Sequence, residues 1–401
     1  MPDILYVFFI IVFIYCGLSV LYLFILSFAA KFFSRKKNNL IFFQPAKKIA
    51  ILVPAYKEDE IIFSTANNLL RLNYPAELYD IFIIADNFQK QTIEQLRKLS
   101  LNIFEVSFKK STKTKSLNEA FKRINKLYDI ALICDADNML APNFLQQLNN
   151  AFLNGAKAVQ GRRVAKNLDS SFAILDACSE AINNNIFRKG TNAVGLSSAV
   201  IGSGMAFDFG MIKNIFTEIE AVGGFDKILQ LKVIKQNIKI QYLENALIFD
   251  EKVSSSHAFK QQRKRWVSSQ FIYLKQFFVP AIKQLFKGNI SYFNLAVANN
   301  VILPRAFLFI ILPALIIGSF FISYSWMIAS IALLIMYILT LIIALPKVLI
   351  NKELFFAVGK LPRAIGLMCV NLIQLKNANN NFIHTVHTKT EISNSLFNER
   401  S

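Results

Sequence analysis

Asp135 and Asp137, separated only by Ala136, carry the most specific chemistry in this chain. They follow an apolar run, Ile130-Ala131-Leu132-Ile133-Cys134, with the composition of a parallel strand buried on both faces. Pro142 just downstream suits the first turn of a following helix. Carboxylates at the C-terminal edge of such a strand lie where open α/β sheets bind ligands. A pair of them can hold a hard divalent cation, with a ligand's phosphate oxygens completing the shell. Standing alone, the same pattern is also an ordinary capped turn, so its surroundings must decide.

The elements needed to position that pair can be read on either side of it. Ala50-Ile51-Leu52-Val53 reads as a first buried strand, broken by Pro54, and the polar run from Tyr56 to Glu60 opens a helical pattern reaching about Leu72. Ile81-Phe82-Ile83-Ile84-Ala85 reads as a second strand ending at Asp86-Asn87, and residues 102–108 as a third. Residues 116–128 are amphipathic and lead into the strand before Asp135. Alternating strands and helices imply a parallel sheet with its strand ends along one edge. Asp86 and Asp135 then share that edge, which favours a nucleotide-and-metal site over a bare turn. Gly202-Ser203-Gly204 and Gly223-Gly224 punctuate the second half, where glycine permits either tight turns or close backbone approach to a ligand.

Composition places this unit at a membrane. Of 401 residues 54% are hydrophobic, and they are unevenly spread: 4–30 and 306–346 carry no charge. The first stretch is long enough for one spanning helix and the second for two. The chain opens Met-Pro-Asp rather than with a basic region, so the first stretch reads as a retained anchor and not a signal peptide. The net charge of +19 collects partly beside these stretches, at Arg35-Lys36-Lys37, Lys47-Lys48, Lys347, Lys352, Lys360 and Arg363. Basic flanks mark the cytoplasmic side, which puts residues 31–299 and the tail inside the cell. No stripe of base-stacking aromatics runs through the basic residues, and nucleic acid is not expected as a partner. Cys16, Cys134, Cys178 and Cys369 have no metal-binding spacing and read as reduced, structural thiols.

The organisation expected is an N-terminal spanning helix at 1–30 and a basic linker at 31–47. An α/β domain with a Rossmann-like, mostly parallel sheet follows at 48–270. An interfacial amphipathic segment occupies 271–299, where aromatics mix with Lys275, Lys283 and Lys287. Two spanning helices at 300–346 and a tail at 347–401 complete the chain, with a second interfacial helix expected from Leu361 to Leu375.

The order of motifs carries a resemblance. Val53-Pro54-Ala55-Tyr56-Lys57-Glu58, Ala85-Asp86-Asn87, Lys113 ahead of Ser116-Leu117-Asn118, Asp135-Ala136-Asp137, Gly202-Ser203-Gly204, Gly223-Gly224-Phe225-Asp226 and Gln262-Arg263-Lys264-Arg265-Trp266 succeed one another over residues 48–270. This resembles the membrane-embedded family-2 glycosyltransferases of GT-A fold, the group containing cellulose, chitin and hyaluronan synthases. The resemblance implies inverting transfer of a sugar from a nucleoside-diphosphate donor, usually UDP-linked, to a saccharide or lipid-linked acceptor at the cytoplasmic membrane face. It implies Mg²⁺ or Mn²⁺ held by Asp135 and Asp137, and a nucleotide pocket shaped by Pro54, Ala55, Glu58 and Asp86. Lys113 would approach the donor phosphates, with Lys115 an alternative. Gly202, Ser203 and Gly204 would line the acceptor side. Trp266 would stack on the acceptor sugar, and Gln262 and Arg265 would bind the diphosphate region, a task suited to the planar guanidinium.

The chain departs from that pattern at one place. Members usually carry a Glu-Asp pair at a helix start some residues after the Gly-Gly motif, the Asp being the general base. Here Asp226 follows Gly223-Gly224-Phe225 directly and no acid recurs before Glu244. The helices align only if Asp226 is the base and Phe225 replaces the Glu. A second reading is therefore an inactive membrane scaffold or polysaccharide-export partner that keeps the fold. Gln-x-x-Arg-Trp favours processive synthesis, but three spans make a thin channel, so a pore would need the tail helix or a second subunit, a homo-oligomer or an export partner; a single-sugar transferase acting on a lipid-linked acceptor is the competing reading.

Overall fold

The computed structural model describes residues 3–34, 43–219, 224–254, 256–363, 365–366 and 389–393, with the side chains of 256–258, 261 and 265–267 excepted. Arg35-Lys36-Lys37, Gly223 and the distal part of the expected tail helix thus lie outside the described residues.

Eight strands form one sheet: β1 (Ile49–Tyr56), β2 (Tyr79–Asp86), β3 (Asn102–Val106), β4 (Ile130–Ile133), β5 (Met139–Leu140), β6 (Ala158–Ala165), β7 (Met205–Asp208) and β8 (Ile240–Asp250). Their order is β3-β2-β1-β4-β7-β6-β8-β5. The first four pair in parallel, as the alternating pattern requires. β7 then runs antiparallel to both β4 and β6, β8 is parallel to β6, and β5 is antiparallel to β8. The sheet is therefore mixed, its parallel half ending beside Asp86 and Asp135. The strands of the second half escape a hydrophobic reading because they carry polar residues such as Gln160, Arg162 and Arg163.

Helices cover both faces. On one side Ile62–Leu70, Lys90–Leu96 and Phe144–Leu153 bury Leu69, Leu96 and Leu148 against Ile51, Val53 and Leu132. On the other Lys113–Arg123, Phe209–Phe216 and Phe225–Lys235 bury Phe121, Phe216 and Leu229 against Leu52, Ile84 and Phe207. Two of these differ from expectation at their starts. The helix after β1 begins at Ile62, because Lys57 to Glu60 form a turn, and the helix before β4 begins at Lys113, where Thr112 Oγ1 caps the Lys115 N–H.

Asp3–Phe32 and Tyr324–Ala344 are long and apolar enough to cross a membrane. Arg305–Phe320 reaches that length only together with Ile290–Val301, from which it is bent by 57° at Pro304. These helices share a core, built on Leu23, Leu312 and Tyr337, that also takes in Ile182 and Ile186. The latter belong to Ser171–Asn183 and the wide π-turn Asn184–Gly190 that continues it. Gly190 makes the docking possible: a Cβ there would lie 2.3 Å from the Leu26 carbonyl oxygen. The long helix Ser256–Phe286 carries the Gln-x-x-Arg-Trp stretch and runs on through residue 270 without a break.

Candidate active site

Successive strands turn sharply at one edge of the sheet. After β1, Lys57 takes φ 54° and donates its N–H to the Asp86 carbonyl; after β2, Asn87 takes φ 58° and donates to Val106. Left-handed backbone is rare outside glycine and collects where a ligand or a chain reversal demands it. Ala55 and Tyr56 pair with Ala85 and Asp86, which puts Pro54 and Ala55 directly alongside the Asp86 strand end. The Glu58 carbonyl accepts the N–H groups of Ile61 and Ile62 and starts the next helix. Asp86 is 1% exposed. Its Oδ1 accepts from Asn87 Nδ2 at 2.8 Å, while Oδ2 is buried without a hydrogen-bond partner among the described residues. Burial pushes this carboxyl up, opposed by the Ser111 hydroxyl and the charge of Lys115. A buried acceptor without a donor suits a nucleobase N–H or a ribose hydroxyl.

Asp135 sits two strands over from Asp86, across β1, and is held by three elements. Its N–H donates to Ser203 Oγ at 2.9 Å, and Ser203 in turn donates to Asn138 Oδ1. Asn138 Nδ2 reaches Asp250 Oδ1 at the end of β8, 3.1 Å away. The Asp135 carboxylate pairs with Lys113 Nζ, which also donates to the Gly202 carbonyl at 2.8 Å. Gly202-Ser203-Gly204 is thus the brace of the Asp135 turn, and its two glycines take φ 84° and 58°. At Gly204 a Cβ would lie 1.6 Å from Ile248 Cδ1, so only glycine fits. Asp137 is buried, its carbonyl accepting from Lys166 Nζ at 2.6 Å.

Among the described residues no three His, Cys, Asp or Glu side chains gather as a metal cluster. Two neighbouring carboxylates, Asp135 and Asp137, nevertheless fit Mg²⁺ or Mn²⁺, which takes one or two carboxylates when substrate phosphates and water supply the rest.

Lys113 links this edge to the second half of the site. Its Nζ lies 5.4 Å from the centre of the Phe225 ring, a cation–π contact. Gly224, at φ 64°, caps the Phe225–Lys235 helix, and a Cβ there would meet Tyr273 at 2.7 Å. Asp226, in the first turn, lines a cavity of about 790 Å³ that Lys113 also lines. Burial pushes the Asp226 carboxyl up, and the charges of Lys227, Lys113 and Arg163 pull it back. Gln262 Oε1 is buried with no hydrogen-bond partner among the described residues. The side chains of Arg265 and Trp266 lie outside the described residues.

Several residues of this region carry no motif. Arg163 and Arg188 grip the buried Glu180 from two sides, at 2.8 and 3.0 Å, and hold its carboxyl well below the usual range. Arg263, inside the Gln-x-x-Arg-Trp stretch, pairs instead with Asp176. Lys166 is 1% exposed and also donates to the carbonyl of Lys389, whose own Nζ pairs with Asp169 at 2.7 Å. Residues 389–393 so lie beside Asp137. Apart from Glu180–Arg188, eight residues apart, each contact joins different elements, and the one local cue is Arg162-Arg163 within β6.

A nucleotide-type α/β edge bearing Asp-x-Asp, backed by a mixed second half and a carboxylate-bearing cavity, defines a GT-A-like transferase fold. The family follows from the sequence itself. Residues 45–269, more than half of the chain, match the family described as Glycosyltransferase like family 2, and the chain belongs to that family. "Probable glycosyltransferase YdaM" of Bacillus subtilis is 23% identical over 343 residues, covering 78% of this chain and 77% of the relative. The beta-monoglucosyldiacylglycerol synthase of Trichormus variabilis is 24% identical over 230 residues, covering 56% of this chain and about half of its own length (49%). Among solved structures, the mannosyltransferase PcManGT of Pyrobaculum calidifontis, crystallised with GDP-Man and Mn²⁺, superposes with a TM-score of 0.50 at 14% identity, covering 90% of this chain and all of that one (100%). That likeness is one of fold.

Proposed function

We propose that this glycosyltransferase moves a sugar, with inversion, from a UDP-sugar to a hydroxyl of a saccharide or lipid-linked acceptor at the cytoplasmic face of a membrane. The observation that carries the reading is Lys113. One ammonium group touches Asp135, the Gly202 carbonyl and the Phe225 ring, and shares a cavity with Asp226. Donor edge and candidate base therefore meet around a single cation suited to a diphosphate.

The roles follow from the chemistry of each group. Asp86 offers to the nucleoside its Oδ2, unpartnered among the described residues, with Pro54, Ala55 and Glu58 forming the pocket wall. Asp135 and Asp137 would hold Mg²⁺ or Mn²⁺, which neutralises charge developing on the diphosphate leaving group. Lys113 sits where it can turn from Asp135 to those phosphates. Gln262, Arg265 and Trp266 are assigned to the diphosphate and acceptor sugar. Asp226 accepts the acceptor's hydroxyl proton, a task for which a carboxylate of raised proton affinity is better suited than an exposed one. Basic residues flanking the apolar helices support a cytoplasmic position for this domain.

The test is UDP release by the full-length protein in lipid, with a panel of UDP-sugars and added Mg²⁺ or Mn²⁺. Release with one sugar, lost on chelation and restored by the metal, is expected. Absence of UDP binding altogether would overturn the proposal.

A further inference from the structure

The cavity beside Asp226 has a wall that sugar transfer to a free saccharide does not require. It is lined by Leu23, Phe309, Leu341, Leu345 and Leu354, from the two helices long enough to cross a membrane, the bent one between them, and the short helix Lys352–Val358. Its lining also holds six cations beside Glu180 and Asp226. Of the cations there, Lys113 is paired with Asp135, Arg163 and Arg188 with Glu180, and Arg263 with Asp176, while Lys227 adjoins Asp226 and bonds Asn300 Oδ1 at 2.8 Å.

Arg305 differs from all of them. Its Nη2 donates to neutral groups, the Ser179 carbonyl and Oγ at 3.2 and 3.1 Å and Asn183 Oδ1 at 2.8 Å. Among the described residues its Nη1 is buried without a hydrogen-bond partner, as is Nε of Arg163, Arg188 and Arg263, but unlike them Arg305 has no acid within ion-pair distance. A guanidinium cannot shed its proton to escape that cost, so an anion from outside is the natural complement. Arg305 also begins a 16-residue helix, and Pro304, Arg305 and Ala306 all line the cavity, which adds the positive helix end to the same place.

We infer that this cavity is the acceptor subsite for a lipid whose head group carries both a phosphate and a free hydroxyl. The phosphate lies against Arg305, the hydrocarbon along the leucine wall, and the hydroxyl at Asp226. This rests on the transferase reading above. In the step itself the hydroxyl oxygen bonds to the sugar's anomeric carbon and its proton passes to the Asp226 carboxylate. The bond from that carbon to the donor phosphate breaks, and the nucleoside diphosphate leaves with the electron pair.

The experiment uses the full chain in phosphatidylcholine nanodiscs doped with phosphatidylglycerol, which has phosphate and hydroxyls, phosphatidic acid, which lacks the hydroxyl, or diacylglycerol, which lacks the phosphate. Lipid retention is read by native mass spectrometry, and labelled sugar is followed from donor to lipid. Both phosphate lipids should be retained at least tenfold over diacylglycerol, with label entering phosphatidylglycerol alone. Arg305→Gln should bring the retention ratio close to one while UDP binding, which also reports folding, is unchanged; Arg305→Lys should keep part of the preference. Equal retention of diacylglycerol, label entering diacylglycerol, or a preference untouched in Arg305→Gln would overturn the inference and leave the transferase reading standing. Displacement of the lipid by inorganic phosphate alone would also overturn it, since the site would then be one for free anions. Loss of UDP binding in the wild-type protein would instead sink the transferase reading.

Discussion

The donor edge and the cavity behind it are built on opposite principles. At the donor edge a few single contacts hold each functional group: Asp86 by the adjacent Asn87, and Asp135 by Ser203 and by Lys113, which the Gly202 carbonyl holds in turn. The polar groups are few and the backbone does much of the positioning. Behind it, charged side chains pack against one another, Glu180 and Arg188 from a helix and the π-turn that continues it meeting Arg163 and Asp250 from β6 and β8. The first arrangement tolerates a changing ligand, because its partners are neutral side chains and one lysine whose ion pair a phosphate can replace. The second tolerates little, because removing one charge strands another in a dry place.

That contrast predicts where substitutions act. Glu180→Gln should cost about 3–5 kcal/mol, the range for breaking a buried pair from one side, since it strands Arg188 and leaves Arg163 only Asp250, 3.8 Å away. Thermal unfolding in lipid would show this, and an unchanged midpoint would mean the cluster is not a structural unit. Asp137→Asn should leave stability nearly unchanged and lower metal-dependent turnover on the order of a hundredfold to a thousandfold, as expected when a metal's electrostatic contribution of several kcal/mol is weakened. Equal losses of stability in both variants would erase the distinction between the regions. Gly204→Ala should cost about 1–3 kcal/mol, because a side chain at φ 58° would be driven into Ile248. It should also weaken UDP binding, since the same loop braces Asp135.

The smallest effect is on pH. Asp226 must be deprotonated to accept a proton, and its affinity for protons is raised by burial, so the acidic limb of kcat should lie above the ordinary carboxylate range. Lys227 lowers that affinity by its charge. Lys227→Met removes a lowering influence, so the limb should move to higher pH. A limb that stays put, or moves down, would remove Asp226 from the proton transfer.

How much could be read beforehand divides along the same line. β1, β2 and β4 were legible as uninterrupted apolar runs, and Asp86 and Asp135 could be placed on one edge because parallel strands align their ends. The role of Ser203 was not, because Gly202-Ser203-Gly204 reads equally as a turn or a ligand loop until its hydroxyl is seen on the Asp135 N–H. Strands β6 and β8 carry charges that a hydrophobic pattern rejects, yet Arg163 and Asp250 are only slightly exposed because each meets an opposite charge from another element. Lys166 and Lys389 belong to no motif, and only the fold brings them beside Asp137. Local chemistry leaves a signature at fixed spacing; a cluster assembled across hundreds of residues does not.

The account turns on the two regions meeting at Asp226, and the direct measurement is sugar transfer and UDP binding by Asp226→Asn beside the wild-type protein. Unchanged UDP binding with transfer lost by at least about a hundredfold, the lower end of what a general base contributes, is the result predicted. Transfer retained at the wild-type rate would contradict it.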